Sequence, residues 1–247
     1  MPAPEWLTTR PIAHRGLHDA TRGIIENTAS AVEAAIAGGY GIEVDLQVSA
    51  DGEAMVHHDD TLDRLTEGSG PLAGMTAAQL ARVRFRATKD RMMTLGELCE
   101  QVAGRATLVL ELKSRFDRDW RLVARVAEVL AFYAGPTVAM SFDPGIVTGL
   151  RRAAPHLLRG IVAERRFDHR EWQTLTEWQR RGLAHLLHAP VTRPDFVAYR
   201  VDDLPAPATR LARLLGLPVL AWTVRTQTQR RLADTYADQM IFEGLRA

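Results

Sequence analysis

The feature that most constrains the fold is a regular alternation of strand-like and helix-like segments. In the second half of the chain, the strand-like segments are 107–113, 137–142, 158–163, 195–201, 218–224 and 239–243. The helix-like segments between them are 120–133, 144–153, 169–181, 207–215 and 226–236. Repeated alternation of this kind predicts a parallel sheet that is covered by helices.

Two earlier strands complete the pattern. The first ends at His14, and the second, 41–48, follows an alanine-rich helix over 29–37 that ends at a glycine pair. A total of about eight strand-to-helix units favours a TIM (β/α)8 barrel over an open, doubly wound sheet. The nucleotide-binding version of the open sheet is further disfavoured because no G-x-G-x-x-G motif follows the first strand. The 247 residues suit one barrel domain over 1–247.

A hairpin and a small insertion are expected after the second strand. Apolar and polar side chains alternate along 41–48, which is typical of a strand with one face on a core. Asp51 and Gly52 then predict a two-residue hairpin loop. In that register Asp45 lies opposite His58, so that both side chains share one face. Residues 60–106 contain no segment that competes for a core strand, and they are expected to form the insertion.

The composition argues against several classes of partner. The formal net charge is +1, from 31 basic and 30 acidic residues, and the arginine pairs are scattered, so no nucleic-acid partner is predicted. The N-terminus lacks the basic and apolar stretches of a signal peptide, and no apolar run approaches the roughly 20 residues of a membrane span. We therefore expect a cytoplasmic enzyme without a stable membrane anchor. The sequence predicts no particular oligomeric state.

Ionisable side chains lie where the predicted barrel strands end, which is where such barrels gather their chemistry. These residues are His14, Glu43, Asp45, Glu111 and Lys113. On strand 107–113 the leucines alternate toward the helices, so Glu111 and Lys113 are expected to point inward. Three converging carboxylates need a divalent cation, and oxygen ligands suit Mg²⁺, Ca²⁺ or Mn²⁺. Zinc is a less favoured alternative, because it prefers histidine or cysteine.

Two histidines, His14 and His58, fit a role in proton transfer. With an unperturbed pKa of ~6.5, one imidazole can accept a proton while another donates one at neutral pH. Together with a metal ion, such a pair suits displacement at phosphorus. Phe142 and Trp222 stand at late strand ends, where they could equally form a pocket wall or part of the core.

Taken together, these motifs resemble the glycerophosphodiester phosphodiesterase family of TIM-barrel enzymes. The resemblance rests on segments that run in the family's order over nearly the whole chain. They are Ala13-His14-Arg15-Gly16, Glu26-Asn27-Thr28, Glu43-Val44-Asp45, the stretch from His58 to Arg64, Glu111-Leu112-Lys113, Ser141-Phe142 and Ala221-Trp222-Thr223-Val224.

The resemblance implies roles for individual residues. The acid–base pair would be His14 and His58. The divalent cation, Mg²⁺ or Ca²⁺ with Mn²⁺ also possible, would be bound by Glu43, Asp45 and Glu111. The substrate-binding residues would be Arg15 and Lys113 on the phosphate, with Glu26, Asn27, Phe142 and Trp222 around them.

The reaction implied by the resemblance is hydrolysis of a small glycerophosphodiester, such as glycerophosphocholine, to sn-glycerol 3-phosphate and an alcohol. Two alternatives stay open: a phospholipase-type lyase that releases a cyclic phosphate, and a barrel that binds a phosphate ligand without turnover. Arg225 stands where the family usually has asparagine, and Glu243 lies where it usually has Thr-Asp. These two departures leave the preference for the alcohol or glycerol moiety open.

Overall fold

Nine strands form the sheet in the computed structural model, which describes residues 4–167 and 172–245. They are β1 (Ile12–Ala13), β2 (Gly41–Val48), β3 (Ala54–Val56), β4 (Leu108–Leu112), β5 (Thr137–Ser141), β6 (Leu158–Ala163), β7 (Phe196–Arg200), β8 (Val219–Val224) and β9 (Gln239–Phe242). All except β3 run parallel, and β1 pairs with both β2 and β9, so the sheet closes into a barrel. The predicted eight-stranded parallel barrel is confirmed.

Helices connect the parallel strands and surround the barrel. Those of the described residues are α1 (Ala29–Ala37), α2 (Ala77–Leu80), α3 (Leu95–Val102), α4 (Arg121–Leu130), α5 (Pro144–Ala153), α6 (Glu177–Ala184), α7 (Ala189–Thr192), α8 (Pro207–Leu214) and α9 (Gln227–Tyr236). Within this part of the chain, no helix has the length and apolar character that crossing a bilayer requires.

The alternation of side chains along β4 shows how the barrel positions polar groups. Val109 belongs to the apolar cluster inside the barrel, whereas Leu108 and Leu110 belong to the cluster between strands and helices. Because successive side chains of a strand point to opposite faces, Glu111 faces inward like Val109. Glu111 lies nearer the C-terminal end of β4, the end at which barrels of this kind carry their functional sites.

The hairpin between β2 and β3 differs from its prediction by one residue. Val48 pairs with Ala54, and the Ser49 N–H donates to the Glu53 carbonyl at 3.0 Å. The loop therefore has three residues, and its last, Gly52, has a φ of +85°. Three-residue hairpin loops commonly end in such a left-handed residue, which explains why the predicted two-residue loop is wrong.

The shifted register also makes the predicted pairing of Asp45 with His58 wrong. The His57 N–H donates to the Asp45 carbonyl at 3.0 Å, so His57 occupies the opposite position. Regular pairing in the hairpin ends at Val56, however, and the following chain leaves the strand. His58 therefore reaches the barrel mouth from a turn and not from the strand, and it lines the same cavity as Asp45.

Residues 60–94, here called the insertion loop, form a small apolar cluster beside the barrel. Its buried members from the loop are Leu62, Leu72, Leu80, Phe85 and Met92. By contrast, the side chains of Leu95, Leu98 and Val102 in α3 are buried in the cluster between strands and helices. The helix at the end of the predicted insertion is thus part of the barrel's helical layer.

The helix expected over 169–181 begins later than predicted. Its first three residues lie outside the described part of the chain, and the described helix α6 starts after Thr176. Thr176 and Gln179 form a capping box there, which fixes the start by satisfying free backbone N–H groups. Gly182, expected to follow the helix, lies inside it.

Candidate active site at the barrel mouth

Three carboxylates meet at the C-terminal ends of two neighbouring strands. β2 carries Glu43 and Asp45, β4 carries Glu111, and the register of the two strands pairs Asp45 with Glu111. The side chains are buried, with residue exposures of 1%, 1% and 8%, and one carboxylate oxygen of each lies within 4.8 Å of the others. This buried acidic cluster can hold a divalent ion with oxygen ligands.

Two cationic side chains and a backbone amide contact this cluster. Lys113 Nζ lies 2.8 Å from Asp45 Oδ1 and 2.5 Å from Glu111 Oε1. Arg15 Nε lies 3.2 Å from Asp45 Oδ2, and the Arg15 backbone N–H donates to Glu43 Oε2 at 2.9 Å. Glu43 Oε1, by contrast, is buried without a hydrogen-bond partner among the described residues. A buried carboxylate oxygen without a donor is available as a ligand, so the residues fit the predicted cation.

The pKa values of Glu43 and Asp45 shift in opposite directions within the cluster. Burial and the nearby carboxylates of Asp45 and Glu111 raise the pKa of Glu43 well above its usual range. Burial also opposes ionisation of Asp45, but the adjacent Lys113 ammonium holds the pKa of that carboxyl well below its usual range. Glu43 is therefore the member whose charge is least compensated by the protein itself, and a bound cation would stabilise its ionised form.

Asn27 and Glu26 support the cluster from the connection between β1 and α1. Asn27 is buried, its Nδ2 donates to Asp45 Oδ2 at 2.9 Å, and its Oδ1 accepts from the Asp45 backbone N–H at 3.2 Å. The φ of Asn27 is +57°, a left-handed conformation that asparagine tolerates better than most residues. Glu26 Oε1 accepts a hydrogen bond from Arg15 Nη1 at 2.6 Å. Asn27 thus holds Asp45 directly, and Glu26 holds the Arg15 side chain that contacts Asp45.

His14 follows β1 directly and is held by a carboxylate at the end of β9. Its Nδ1 lies 2.8 Å from Glu243 Oε2, while its Nε2 lies 4.0 Å from Glu43 Oε2. An ionised carboxylate can only accept, so Nδ1 carries the proton and Nε2 is free to act as a base when the ring is neutral. Burial lowers the pKa of His14 below its ordinary value, although the bond to Glu243 opposes this. The lowered pKa favours the neutral form of the ring.

His58 has the same arrangement on the other side of the cavity. Its Nδ1 donates to Asp59 Oδ1 at 2.8 Å, which directs the second ring nitrogen away from the carboxylate. His14 and His58 both line a cavity of about 350 Å³, together with Asp45 and Glu111. The structure thus brings both predicted histidines to the acidic cluster, each with Nδ1 bound to a carboxylate.

Aromatic side chains form one wall of this cavity. The ring of Phe142 lies 5.5 Å from Trp222 and 4.7 Å from Trp172, measured between centroids. All three residues line the cavity. Of the two positions expected for Phe142 and Trp222, the pocket wall and the core, both residues occupy the pocket wall. Trp172 was missed, because the sequence analysis placed it inside the predicted helix 169–181, whereas it precedes the described helix α6.

Further charged residues lie at or beside the cavity. Glu164 and Arg200 escaped prediction, whereas Arg225 and Glu243 were expected only as departures from the family pattern. Buried Glu164 accepts from Trp172 Nε1 at 2.8 Å and from Arg200 Nη1 at 3.2 Å. Arg225 Nη2 donates to Glu243 Oε2 at 3.1 Å, so the two departures from the family pattern contact each other. Each pair joins residues from the ends of different strands. Only their common position at strand ends could have indicated Glu164 and Arg200.

Comparison with known proteins agrees with this geometry. The sequence profile of the Glycerophosphoryl diester phosphodiesterase family matches residues 14–245. A glycerophosphodiester phosphodiesterase of Caldanaerobacter subterraneus is 30% identical over 166 residues, which are 63% of this chain and 67% of that protein. Glycerophosphodiester phosphodiesterase 1 of Rattus norvegicus is 28% identical over 65% of this chain. The chain spans about half, 49%, of the length of that relative.

A solved structure shares the whole fold. The phosphodiesterase of Oleispira antarctica, in complex with its product sn-glycerol-3-phosphate, superposes with a TM-score of 0.78 at 22% identity. The alignment covers 96% of this chain and 93% of that one. At this identity the likeness establishes the architecture, whereas the profile match over residues 14–245 establishes the family. The chain belongs to the glycerophosphoryl diester phosphodiesterase family.

Proposed function

We propose that the chain is a metal-dependent phosphodiesterase that hydrolyses glycerophosphodiesters to sn-glycerol 3-phosphate and an alcohol. The observation that carries the proposal is a buried cluster of three carboxylates in one cavity with two histidines, His14 and His58. Family membership and the product bound to the Oleispira antarctica relative support a small glycerophosphodiester as substrate. The cytoplasmic location stays a prediction from the sequence.

The proposed cation ligands are Glu43, Asp45 and Glu111. A hard divalent cation, Mg²⁺ or Ca²⁺ with Mn²⁺ as a further candidate, suits a donor set made of carboxylate oxygens. When bound, such an ion neutralises the charge that builds up on the phosphoryl oxygens.

The proposed phosphate-binding residues are Arg15 and Lys113, which both line the cavity. Their cationic groups lie within 3.2 Å of Asp45 carboxylate oxygens, so they are fixed close to the acidic cluster. Burial lowers the pKa of Lys113, but the contacts with Asp45 and Glu111 raise it by more, so the pKa lies above its ordinary value. The side chain therefore stays charged at neutral pH. A fixed positive charge of this kind stabilises the phosphorane-like transition state.

His14 and His58 move the protons in this proposal. One imidazole Nε2 accepts the proton of the attacking water while the water oxygen bonds to phosphorus. The other imidazole donates a proton to the oxygen of the leaving alcohol while the phosphorus–oxygen bond to that alcohol breaks. The neutral state of buried His14 suits the accepting role, and the carboxylates bound at each Nδ1 keep the two rings oriented.

The aromatic wall is proposed to contact the carbon skeleton of the substrate. Phe142, Trp222 and Trp172 offer apolar ring faces beside the charged half of the cavity. An amphipathic substrate with a phosphodiester at one end and hydrocarbon groups beside it matches this division.

Turnover of glycerophosphocholine and glycerophosphoethanolamine, with and without added metal, tests the proposal. We expect chelation to abolish activity and Mg²⁺ or Ca²⁺ to restore it, whereas full activity in excess chelator would contradict a metal-dependent reaction. His14→Ala and His58→Ala are each expected to lower kcat by about 10²–10⁴-fold in a protein that remains folded.

Phosphorus NMR of the products separates hydrolysis from the cyclising alternative. A phosphate monoester as the first product supports the proposal. An accumulating cyclic ester would instead identify a lyase, and tight binding of the diester without any product would identify a binding barrel.

A further inference from the structure

Arg64, in the insertion loop, bridges two carboxylates that belong to different parts of the site. Its Nη1 and Nη2 donate to Glu26 at 3.0 and 2.8 Å. Its Nε and Nη2 donate to Asp59 at 2.6 and 3.1 Å. The planar fork of guanidinium donors suits this double bridge, whereas a lysine ammonium is a single point of charge.

Each of the two carboxylates also holds one residue of the proposed catalytic centre. Glu26 accepts from Arg15 Nη1 at 2.6 Å, and Asp59 accepts from His58 Nδ1 at 2.8 Å. A continuous series of contacts therefore joins the proposed phosphate-binding arginine to the proposed acid–base histidine. Arg64 lies at its centre.

Both bridged carboxyl groups are ionised at neutral pH. Burial opposes ionisation of Glu26, but hydrogen bonds and charge from Arg64 and Arg15 bring the pKa of this carboxyl down to about 2. Burial is likewise outweighed at Asp59 by bonds from His58 and Arg64, so the pKa of Asp59 lies well below its usual range. An ionised carboxylate needs donors on both oxygens to be held in one orientation, and Arg64 supplies them to both groups.

The insertion loop anchors Arg64 through apolar neighbours in the sequence. Leu62 is fully buried in the loop's apolar cluster, and Leu65 packs against the same cluster. The Arg64 side chain itself is 46% exposed, and it is absent from the cavity lining. Its position suits contact with the two carboxylates and not with a bound substrate.

We propose that Arg64 is a positioning residue, which orients His58 through Asp59 and Arg15 through Glu26. The inference rests on the proposed function, because that function assigns proton transfer to His58 and phosphate binding to Arg15. It also gives the insertion loop a role in the reaction, because the loop carries Arg64, whose guanidinium group links Glu26 to Asp59.

Kinetics of Arg64→Ala test the double role. We expect a lower kcat and a higher KM, each by roughly 10-fold or more, since loss of an orienting partner typically costs about 10- to 100-fold. Glu26→Gln is expected to raise mainly KM, and Asp59→Asn to lower mainly kcat. Arg82→Gln, a change at an exposed arginine of the same loop, is the matched control and should behave as wild type. Wild-type kinetics of Arg64→Ala would overturn the inference.

Chemical rescue separates positioning from a general loss of stability. Guanidinium ion at millimolar concentration is expected to restore part of the activity of Arg64→Ala, whereas urea at the same concentration should not. Melting temperatures measured under the same conditions show whether stability changes with activity. Rescue by urea as well, in parallel with melting temperature, would overturn the positioning role.

A readout without turnover keeps this inference separate from the proposed function. Nitrogen-15 NMR of the histidine side chains should show His58 as the Nδ1–H tautomer in wild type and as a tautomer mixture in Arg64→Ala. His14, which is held by Glu243, should not change and serves as an internal control. An unchanged His58 spectrum would overturn the inference. An inactive wild type would contradict the proposed function. The spectra would still show whether Arg64 orients His58.

Discussion

At the scale of single residues, one carboxylate oxygen of Glu243 orients the imidazole ring of His14. Glu243 Oε2 accepts from His14 Nδ1 at 2.8 Å and from Arg225 Nη2 at 3.1 Å. The bonds from His14 and Arg225 bring the pKa of Glu243 down to about 2, although burial opposes this. The carboxylate is therefore ionised and fixed by two donors, and it holds the imidazole in one tautomer.

Glu243→Gln tests this orienting role. The amide keeps the size of the side chain but removes the charge, and it can present an N–H group to His14 Nδ1, so the tautomer is no longer fixed. We expect kcat to fall by about 10²-fold, at the lower end of what a general acid–base group contributes. Glu177→Gln, at an exposed glutamate paired with Arg181, is the control. Equal kcat values for both variants would contradict the role of Glu243.

Glu26 makes stability depend on pH in a defined direction. Its folded-state pKa of about 2 lies below the ordinary value of 4.5, so its contribution is fully present above about pH 4.5 and is lost as the pH falls toward 2. A difference of this size corresponds to at most about 3 kcal/mol. We expect Glu26→Gln to lower the free energy of unfolding at pH 7 and to match wild type near pH 2. Urea denaturation at both pH values measures this, and a constant difference between the proteins would contradict it.

At the scale of elements, strand positions are more predictable from the sequence than turn geometry. β2 and β6 have their predicted bounds, because apolar alternation and flanking turn residues define a strand locally. The hairpin register is not defined locally in the same way. Asp51-Gly52 fits a two-residue loop as well as a three-residue loop ending in Gly52, and the choice depends on the contacts of both strands.

Gly52 gives a direct test of the observed loop. Its φ of +85° is unfavourable for any L-residue, while a Cβ would meet no atom within 4 Å. Gly52→Ala should therefore destabilise the protein by about 1–2 kcal/mol through backbone strain alone. Gly182→Ala, inside α6 and equally free of steric contact, should stabilise it by about 0.5–1 kcal/mol. Chemical denaturation of both variants measures the difference, and effects of the same sign would contradict the assigned conformations.

At the scale of the whole molecule, barrel closure explains which parts of the site the sequence could predict. Glu43, Asp45 and Glu111 stand on strands whose alternation is visible locally, and parallel strands bring their C-terminal ends to one place. Residues such as Trp172 and Glu164 lie in connections after β6, whose path depends on packing with other loops. Arg225 and Glu243, which follow the neighbouring strands β8 and β9, contact each other only through their side chains, and no local sequence pattern indicates such a contact.

The acidic cluster makes a prediction for the stability of the entire barrel. Ionised Glu43 costs folding free energy, because burial and the carboxylates of Asp45 and Glu111 raise the pKa of its side chain. Its contribution therefore becomes unfavourable as the pH rises above the ordinary value of 4.5, which includes pH 7. In metal-free protein at pH 7, Glu43→Gln should therefore raise both the free energy of unfolding and the melting temperature.

The same substitution should reverse its effect when metal is added. A ligand that binds only the folded state stabilises it by about 2.7 kcal/mol at a concentration of one hundred times Kd. Mg²⁺ or Ca²⁺ should therefore raise the melting temperature of wild type, while Glu43→Gln loses a ligand oxygen charge and should respond weakly or not at all. Calorimetry of both proteins in chelator and in added metal measures the two shifts. A wild type without any metal-induced shift, or a Glu43→Gln variant with the full shift, would show that the cluster does not hold the cation.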